Sequence, residues 1–258
     1  MIHHLNCGTL HPLLAGRFVA HCLLVERADG LLLVDSGFGT ADLDDRGRRL
    51  GRAFTSAMRP NLDPAETALA QVEALGFHAS DVRDIALTHL DLDHAGGVSD
   101  FPNATVHVYD AELEAARNPK GMEHGRYLRE QWEDARFATH AAAGEEWRGL
   151  EAVTVLADDV LLVPLPGHSR GHAGAAVRDT TSSDGGWVLH AGDAYFNAGE
   201  VQTPPSCPRI LQVFQRLLAQ DNAVRLANQE RLRTLVADHP DVRVFSAHDA
   251  SEFEALNS

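Results

Sequence analysis

Hydrophobic positions along the chain recur with two periods and divide it into short strand-like runs and a few helix-like stretches. Residues 18–25 (Phe-Val-Ala-His-Cys-Leu-Leu-Val) and 31–35 (Leu-Leu-Leu-Val-Asp) are apolar runs on either side of Arg27-Ala28-Asp29-Gly30. Asp-Gly between such runs predicts a hairpin. Helical spacing over 64–75 is bracketed by Asp63 as N-cap, Pro64 as first helical residue and Gly76 as stop. Asp84-Ile85-Ala86-Leu87-Thr88 reads as a buried strand and Val106-His107-Val108-Tyr109 as another. Residues 110–136 are rich in Glu, Ala, Arg and Leu and are predicted helical, with a break at Asn118-Pro119-Lys120-Gly121. Further strands are expected at 153–156, 160–165, 174–177, 187–190 and 242–245. In 208–236, Leu211, Phe214, Leu217, Leu218, Val224, Leu226 and Leu232 recur near helical spacing, a stripe expected to pack into the core rather than to form a dimer face. Two blocks of strands, each followed by helix, predict a layered α/β domain in which helices cover paired sheets.

Composition narrows this picture. A chain of 258 residues, 44% hydrophobic and 23% charged, is long enough for one large globular core. Without a low-complexity linker, 1–258 is expected to be a single domain with helical insertions around 110–136 and 206–236. The formal net charge of -15 opposes binding to nucleic acid or to anionic membranes, and bound cations would lessen it. Cys7, Cys22 and Cys207 are odd in number and scattered, which argues against a disulfide framework. His3, His4, His11, Arg17 and His21 interrupt the N-terminal apolar stretches, so neither a signal peptide nor a membrane span is expected and the cytoplasm is the default location. Arg46-Gly47-Arg48-Arg49 is expected to be a solvated loop.

The chemistry concentrates at His89-Leu90-Asp91-Leu92-Asp93-His94, an H-x-D-x-D-H cluster at the end of an apolar run and directly before Ala95-Gly96-Gly97. Crowding two carboxylates and two imidazoles together costs on the order of several kcal/mol unless positive charge sits among them. A divalent cation, or two, is the natural compensator. Asp35, His168, Asp193 and His248 repeat the same placement, each just past an apolar strand. If the backbone of the cluster stays extended, alternation sends His89, Asp91 and Asp93 to one side and His94 elsewhere, which suits two neighbouring ions better than one. Gly-His-Ser-Arg-Gly-His at 167–172 offers two imidazoles, His168 and His172.

Taken together, Val34-Asp35-Ser36-Gly37, the 88–97 segment, Pro166-Gly167-His168-Ser169-Arg170-Gly171-His172, Gly192-Asp193 and Ala247-His248-Asp249 resemble the metallo-β-lactamase-fold hydrolase superfamily over nearly the whole chain. The resemblance implies a four-layer αββα sandwich with the site on one edge between the sheets. It implies one metal ion on His89, Asp91 and His168, a second on Asp93, His94 and His248, and Asp193 bridging the two. Asp35 then stands behind the ligands, and His172 supports the site or packs beneath it. The superfamily usually carries H-x-H-x-D-H, so Asp91 replaces an expected His and makes the first position harder and more anionic. Zinc is the first choice for the two divalent ions, with manganese or iron compatible.

The implied reaction is hydrolysis of a small ester, lactone or thioester by a hydroxide between the ions, with Asp93 orienting the water or carrying a proton. Tyr195 loosely resembles a tyrosine of the lactonase-like branch and is a candidate donor to the substrate. The large helical insert and the lack of a helical domain beyond His248 favour that branch over the glyoxalase-II-like one. A small-molecule substrate and a monomer or homodimer are expected. The rivals are a mononuclear iron oxygenase like the persulfide dioxygenases of the same superfamily, and a non-catalytic metal-binding module.

Overall fold

Among the described residues, two six-stranded sheets, each with its strands in sequential order, form the framework. The computed structural model describes residues 1–13, 15–44, 49–141, 143–180 and 186–257. The expected solvated loop at Arg46, Gly47 and Arg48 lies outside the described residues. The first sheet contains β1 (Ile2–Leu10), β2 (Phe18–Arg27), β3 (Gly30–Val34), β4 (Val82–Ala86), β5 (Thr105–Tyr109) and β6 (Arg136–His140). The second contains β7 (Glu145–Trp147), β8 (Leu150–Leu156), β9 (Val160–Pro164), β10 (Ala173–Arg178), β11 (Trp187–His190) and β12 (Val242–Phe245). β1 to β3 pair antiparallel, β3 to β6 parallel. In the second sheet only the β11–β12 pair is parallel.

Parallel neighbours need long crossovers, and those crossovers hold the helices. The β3–β4 connection carries α1 (Thr40–Leu43), α2 (Arg52–Met58) and α3 (Ala68–Ala74); α4 (Asp110–Arg117) follows β5. α5 (Arg209–Leu218) and α6 (Asn222–Asp238) lie between β11 and β12, and α7 (Ala250–Leu256) follows β12. Strand alternation sorts the apolar residues into layers. Leu23, Val25, Leu32 and Val34 meet Leu162, Ala175, Val177 and Val188 between the sheets. Their neighbours Leu24, Leu31 and Leu33 face the opposite way, into a cluster with Val72 of α3 and Leu113 of α4. Leu161, Val163 and Leu189 pack with Leu232 and Leu235 of α6 on the far side of the second sheet. The result is the expected αββα layering.

Several elements differ from the periodic reading. The stretch 64–75 is a 3-10 turn, Pro64–Glu66, followed by α3, because Thr67 offers its own hydroxyl to Ala70 N–H and starts a new helix. Past Arg117 the predicted helix gives way to 3-10 turns at Gly121–Gly125 and Arg129–Gln131, and then to β6, which extends the sheet beside β5. The 208–236 helix is two, since the Asp221 carboxylate caps Ala223 and Val224 and restarts the turn. Its apolar stripe also divides: Leu211 and Leu232 are buried, whereas Leu217 is 70% and Leu226 47% exposed.

Candidate metal centre

The topology gathers the donors. β3 and β4 run parallel, as do β9, β11 and β12 across the second sheet, and Asp35, the 89–94 cluster, His168, Asp193 and His248 all follow the C-terminal ends of these strands. Donors from both sheets therefore meet at one rim. Two groups form there with donor atoms within 4.8 Å of one another, His89 with His168 and Asp193, and Asp93 with His94 and His248.

Asp193 lies between them. Its Oδ2 is 3.3 Å from His168 Nε2 and 3.9 Å from His89 Nε2. Its Oδ1 is 3.3 Å from His94 Nε2 and 3.2 Å from His248 Nε2. Asp93 adds its two oxygens at 4.0 Å from His94 and 3.7 Å from His248. Asp91 stands beside the first group, its Oδ2 3.1 Å from His168 Nε2 and 3.4 Å from His89 Nε2.

A layer of fixed contacts aims the imidazoles. His94 Nδ1 bonds Asp35 Oδ2 at 2.8 Å, His89 Nδ1 meets the Thr88 hydroxyl at 2.9 Å, and His248 Nδ1 donates to the Val19 carbonyl at 2.8 Å. In each ring the Nε2 is left for the centre, an arrangement that fixes the tautomer of a metal-binding histidine. Asp35 is held in turn by the Thr88 N–H and hydroxyl, both at 2.8 Å. His172 is not a donor to the centre. Its Nδ1 donates to the Leu165 carbonyl and its Nε2 accepts the Asp193 N–H at 2.8 Å, which anchors the backbone of the carboxylate between the groups. Gly192, at φ +53, lets that backbone pass: a Cβ there would stand 2.5 Å from His172 Nε2.

Burial opposes a charge on His94, yet Asp193 and Asp35 outweigh it and hold the pKa well above its ordinary value. His248 is raised for the same reason, with Asp193 as the main opposing charge. Burial likewise resists the Asp193 anion, and His248, His94 and His168 together pull its pKa well down. His168 moves the other way, lowered to about 4 by burial and by the charge of Arg126. The centre thus collects positive charge where it can, as an electron-rich donor set does.

A family model for the metallo-β-lactamase superfamily matches residues 15–248. The chain belongs to the metallo-β-lactamase superfamily. A probable metallo-hydrolase of Mycobacterium tuberculosis is 42% identical to it over 98% of this chain and 81% of its own length. An N-acyl homoserine lactonase of Rhizobium johnstonii is 33% identical over 60% of this chain and 58% of its own. A solved N-acyl homoserine lactone hydrolase, with N-hexanoyl-L-homoserine at its catalytic metal centre, superposes with a TM-score of 0.76 at 21% identity, covering 98% of this chain and 95% of that one. At that identity the likeness speaks for the fold. This superfamily member is a metal-dependent hydrolase, and its family implies divalent cations.

The residues present fit such ions. Donors around a tetrahedral ion at ~2.0–2.2 Å stand about 3.3–3.6 Å apart, close to the separations around Asp193. His89 Nε2, His94 Nε2 and Asp193 Oδ1 are buried without a hydrogen-bond partner, an expensive state that a cation relieves. Among the described residues no helix is long and apolar enough to cross a membrane.

Three expectations change. The cluster is not extended beyond Asp91: its carbonyl accepts from the N–H groups of His94 and Ala95, and the turn brings Asp93 and His94 to the same group. Gly96 makes the turn's close packing possible, for a Cβ there would lie 2.6 Å from the Gly37 carbonyl. Tyr195 is fully buried and donates its hydroxyl to Glu252 at 2.9 Å, so it faces the core; Phe196 is the residue of that loop on the cavity wall. Asp91, expected as a plain ligand, also receives Arg126 Nη1 at 2.7 Å.

Three polar residues near the site escaped sequence reasoning, Glu112 and Glu200 buried and Arg126 half-buried. Glu112 of α4 accepts from Leu90 N–H, from the Ser169 hydroxyl at 2.6 Å and from Gly171 N–H, clasping the loop of the first sheet to that of the second. Glu200 accepts from Phe196 and Asn197 N–H and from Gln215 and Gln229, tying the loop after Asp193 to α5 and α6. Arg126 is the third. In sequence each resembles an ordinary charged surface residue; only the tertiary fold buries them.

Proposed function

We propose that the chain is a binuclear hydrolase for small acylated lactones, esters or thioesters. In this reading His89, His168 and Asp91 would hold one divalent ion, and Asp93, His94 and His248 the other. Asp193 is shared, and both sheets act as one domain. The observation that supports it most is the pair of Asp193 oxygens, each facing its own pair of imidazoles at 3.2–3.9 Å. Divalent ions in such a set supply Lewis acidity and a nucleophilic water near neutral pH.

The chain's own residues do the rest. A cavity of about 370 Å³ opens on Asp91, Asp93, His168, Asp193 and His248. Its remaining wall is mostly apolar, with Phe54, Met58, Leu92, Phe196, Phe214 and Leu218, which excludes water and suits an alkyl or acyl chain. Asp93, 7% exposed, is the carboxylate positioned to hold a proton of the attacking water. Asp35 and the Val19 carbonyl keep His94 and His248 oriented toward the centre while charge develops.

The test is chelation and reconstitution. Protein stripped of metal and reloaded with Zn²⁺ or Mn²⁺ is assayed on N-acyl homoserine lactones of increasing chain length, on aryl esters, on thioesters and on phosphodiesters. Hydrolysis of an acylated lactone, ester or thioester that vanishes with chelation and returns with metal is the expected outcome. Turnover indifferent to chelation would overturn it, as would oxygen consumption by iron-loaded protein without hydrolysis.

A further inference from the structure

Position 91 departs from the superfamily pattern, and the fold sets a cation of its own against it. Arg126 follows the 3-10 segment Gly121–Gly125, and a backbone bridge between Asp91 and Tyr127 holds that segment at the cluster. Its Nη1 donates to Asp91 Oδ2 at 2.7 Å and its Nη2 to the Leu218 carbonyl. The same Oδ2 is the atom 3.1 Å from His168 Nε2 and 3.4 Å from His89 Nε2. One carboxylate oxygen is therefore divided between a guanidinium and the first donor group. The Arg126 side chain is only 11% exposed, so solvent screens its charge weakly. Among the described residues, no arginine pairs with Asp93 or Asp193.

We infer that Arg126 sets the two metal positions apart, making the ion beside Asp91 the weakly held, exchangeable one. This rests on the binuclear reading above. Asp91 and Arg126 together carry no net charge, as a neutral imidazole at position 91 would. The guanidinium, however, draws on the oxygen that would ligate and would repel a divalent cation held beside Asp91. Arginine keeps its proton at any working pH, so the handicap is permanent. The second position has the more negative environment, since Asp35 bonds His94 directly and reaches His89 of the first position only through the Thr88 hydroxyl. A purely structural arginine would alter stability when replaced but leave the ratio of the two affinities alone.

The experiment measures binding of Zn²⁺ or Mn²⁺ alone, by competition with a chromophoric chelator and by elemental analysis after desalting. It compares wild type with Arg126→Gln and Arg126→Met, with circular dichroism and melting to report folding. We expect wild type to bind two ions at least ten-fold apart in affinity, or to keep one through desalting. Both neutral variants are expected to hold the weaker ion at least ten-fold more tightly. Two equal affinities in wild type would overturn the inference and leave the binuclear reading standing, a measurement that needs no variant to fold. An unchanged weaker affinity in a folded variant would overturn it as well. Wild type and variants that bind no ion would overturn both.

Discussion

The cavity has a floor and a wall, and they are built differently. The floor consists of residues just past strand ends, all but Asp91 buried, with Nδ1 atoms or backbone fixed by Asp35, Thr88, Val19 and His172. The wall comes from segments between strands: α2, the 3-10 turn Gly121–Gly125 with Arg126 after it, and α5, whose Leu217 is 70% exposed. Floor geometry is over-determined by two sheets and a shell of hydrogen bonds. The wall is held mainly by apolar contact and by a few buried polar anchors such as Glu200. In the proposed reading the contrast assigns reaction chemistry to the floor and choice of substrate to the wall.

Replacing a floor donor should have the largest effect. Asp193→Ala is expected to lower kcat/KM by roughly a thousand-fold or more and to reduce bound metal, read by steady-state kinetics and elemental analysis together. A folded variant with near-normal turnover and metal would erase the distinction between floor and wall. One layer back, Asp35→Asn should cost about 10–100-fold in metal affinity or activity. Asn is the appropriate probe because Asp35 sits at φ +54, a conformation Asn tolerates, so the backbone is preserved while the charge behind His94 is lost.

Wall substitutions should be gentler and selective. Leu217→Ala is expected to lower kcat/KM for long-chain substrates by about 5–10-fold, mainly through KM, and to leave short-chain substrates nearly unchanged. Equal losses for both would place Leu217 with the floor. Tyr195→Phe should be smallest of all, within about two-fold in kcat, because the lost hydrogen bond to Glu252 lies in the core. A large drop in kcat with unchanged stability would restore Tyr195 to the chemistry.

The floor was largely legible in sequence and the wall was not. Every strand that ends in a donor was visible as an apolar run, since burial on both faces makes such strands nearly continuous in apolar residues. The donors stood out because Asp and His are rare company for such runs. Patterning could not foresee the turn at 91–94, which follows from hydrogen bonds to the Asp91 carbonyl and from glycine packing. It missed β1, where His3, His4 and Asn6 interrupt the apolar sequence although the strand pairs with β2 on both sides of a register shift between Asn6 and Thr9. Helical composition over 110–136 concealed both β6 and the turn carrying Arg126, because their conformations depend on partners distant in the chain. Tyr195 shows the finer limit: neighbouring positions on one loop face opposite ways, and spacing alone did not choose between Tyr195 and Phe196.

The clasp made by Glu112 has a consequence for how the enzyme could be taken apart. β6 ends at His140 and β7 begins at Glu145, so a chain interrupted there would yield one fragment with the 89–94 cluster and another with His168, Asp193 and His248. Neither fragment would own a complete centre, and the glutamate would be left without the hydroxyl and amide it grips on the other side. Complementation between the halves would thus announce itself as recovered catalysis, with Glu112 as the latch that makes reunion cooperative.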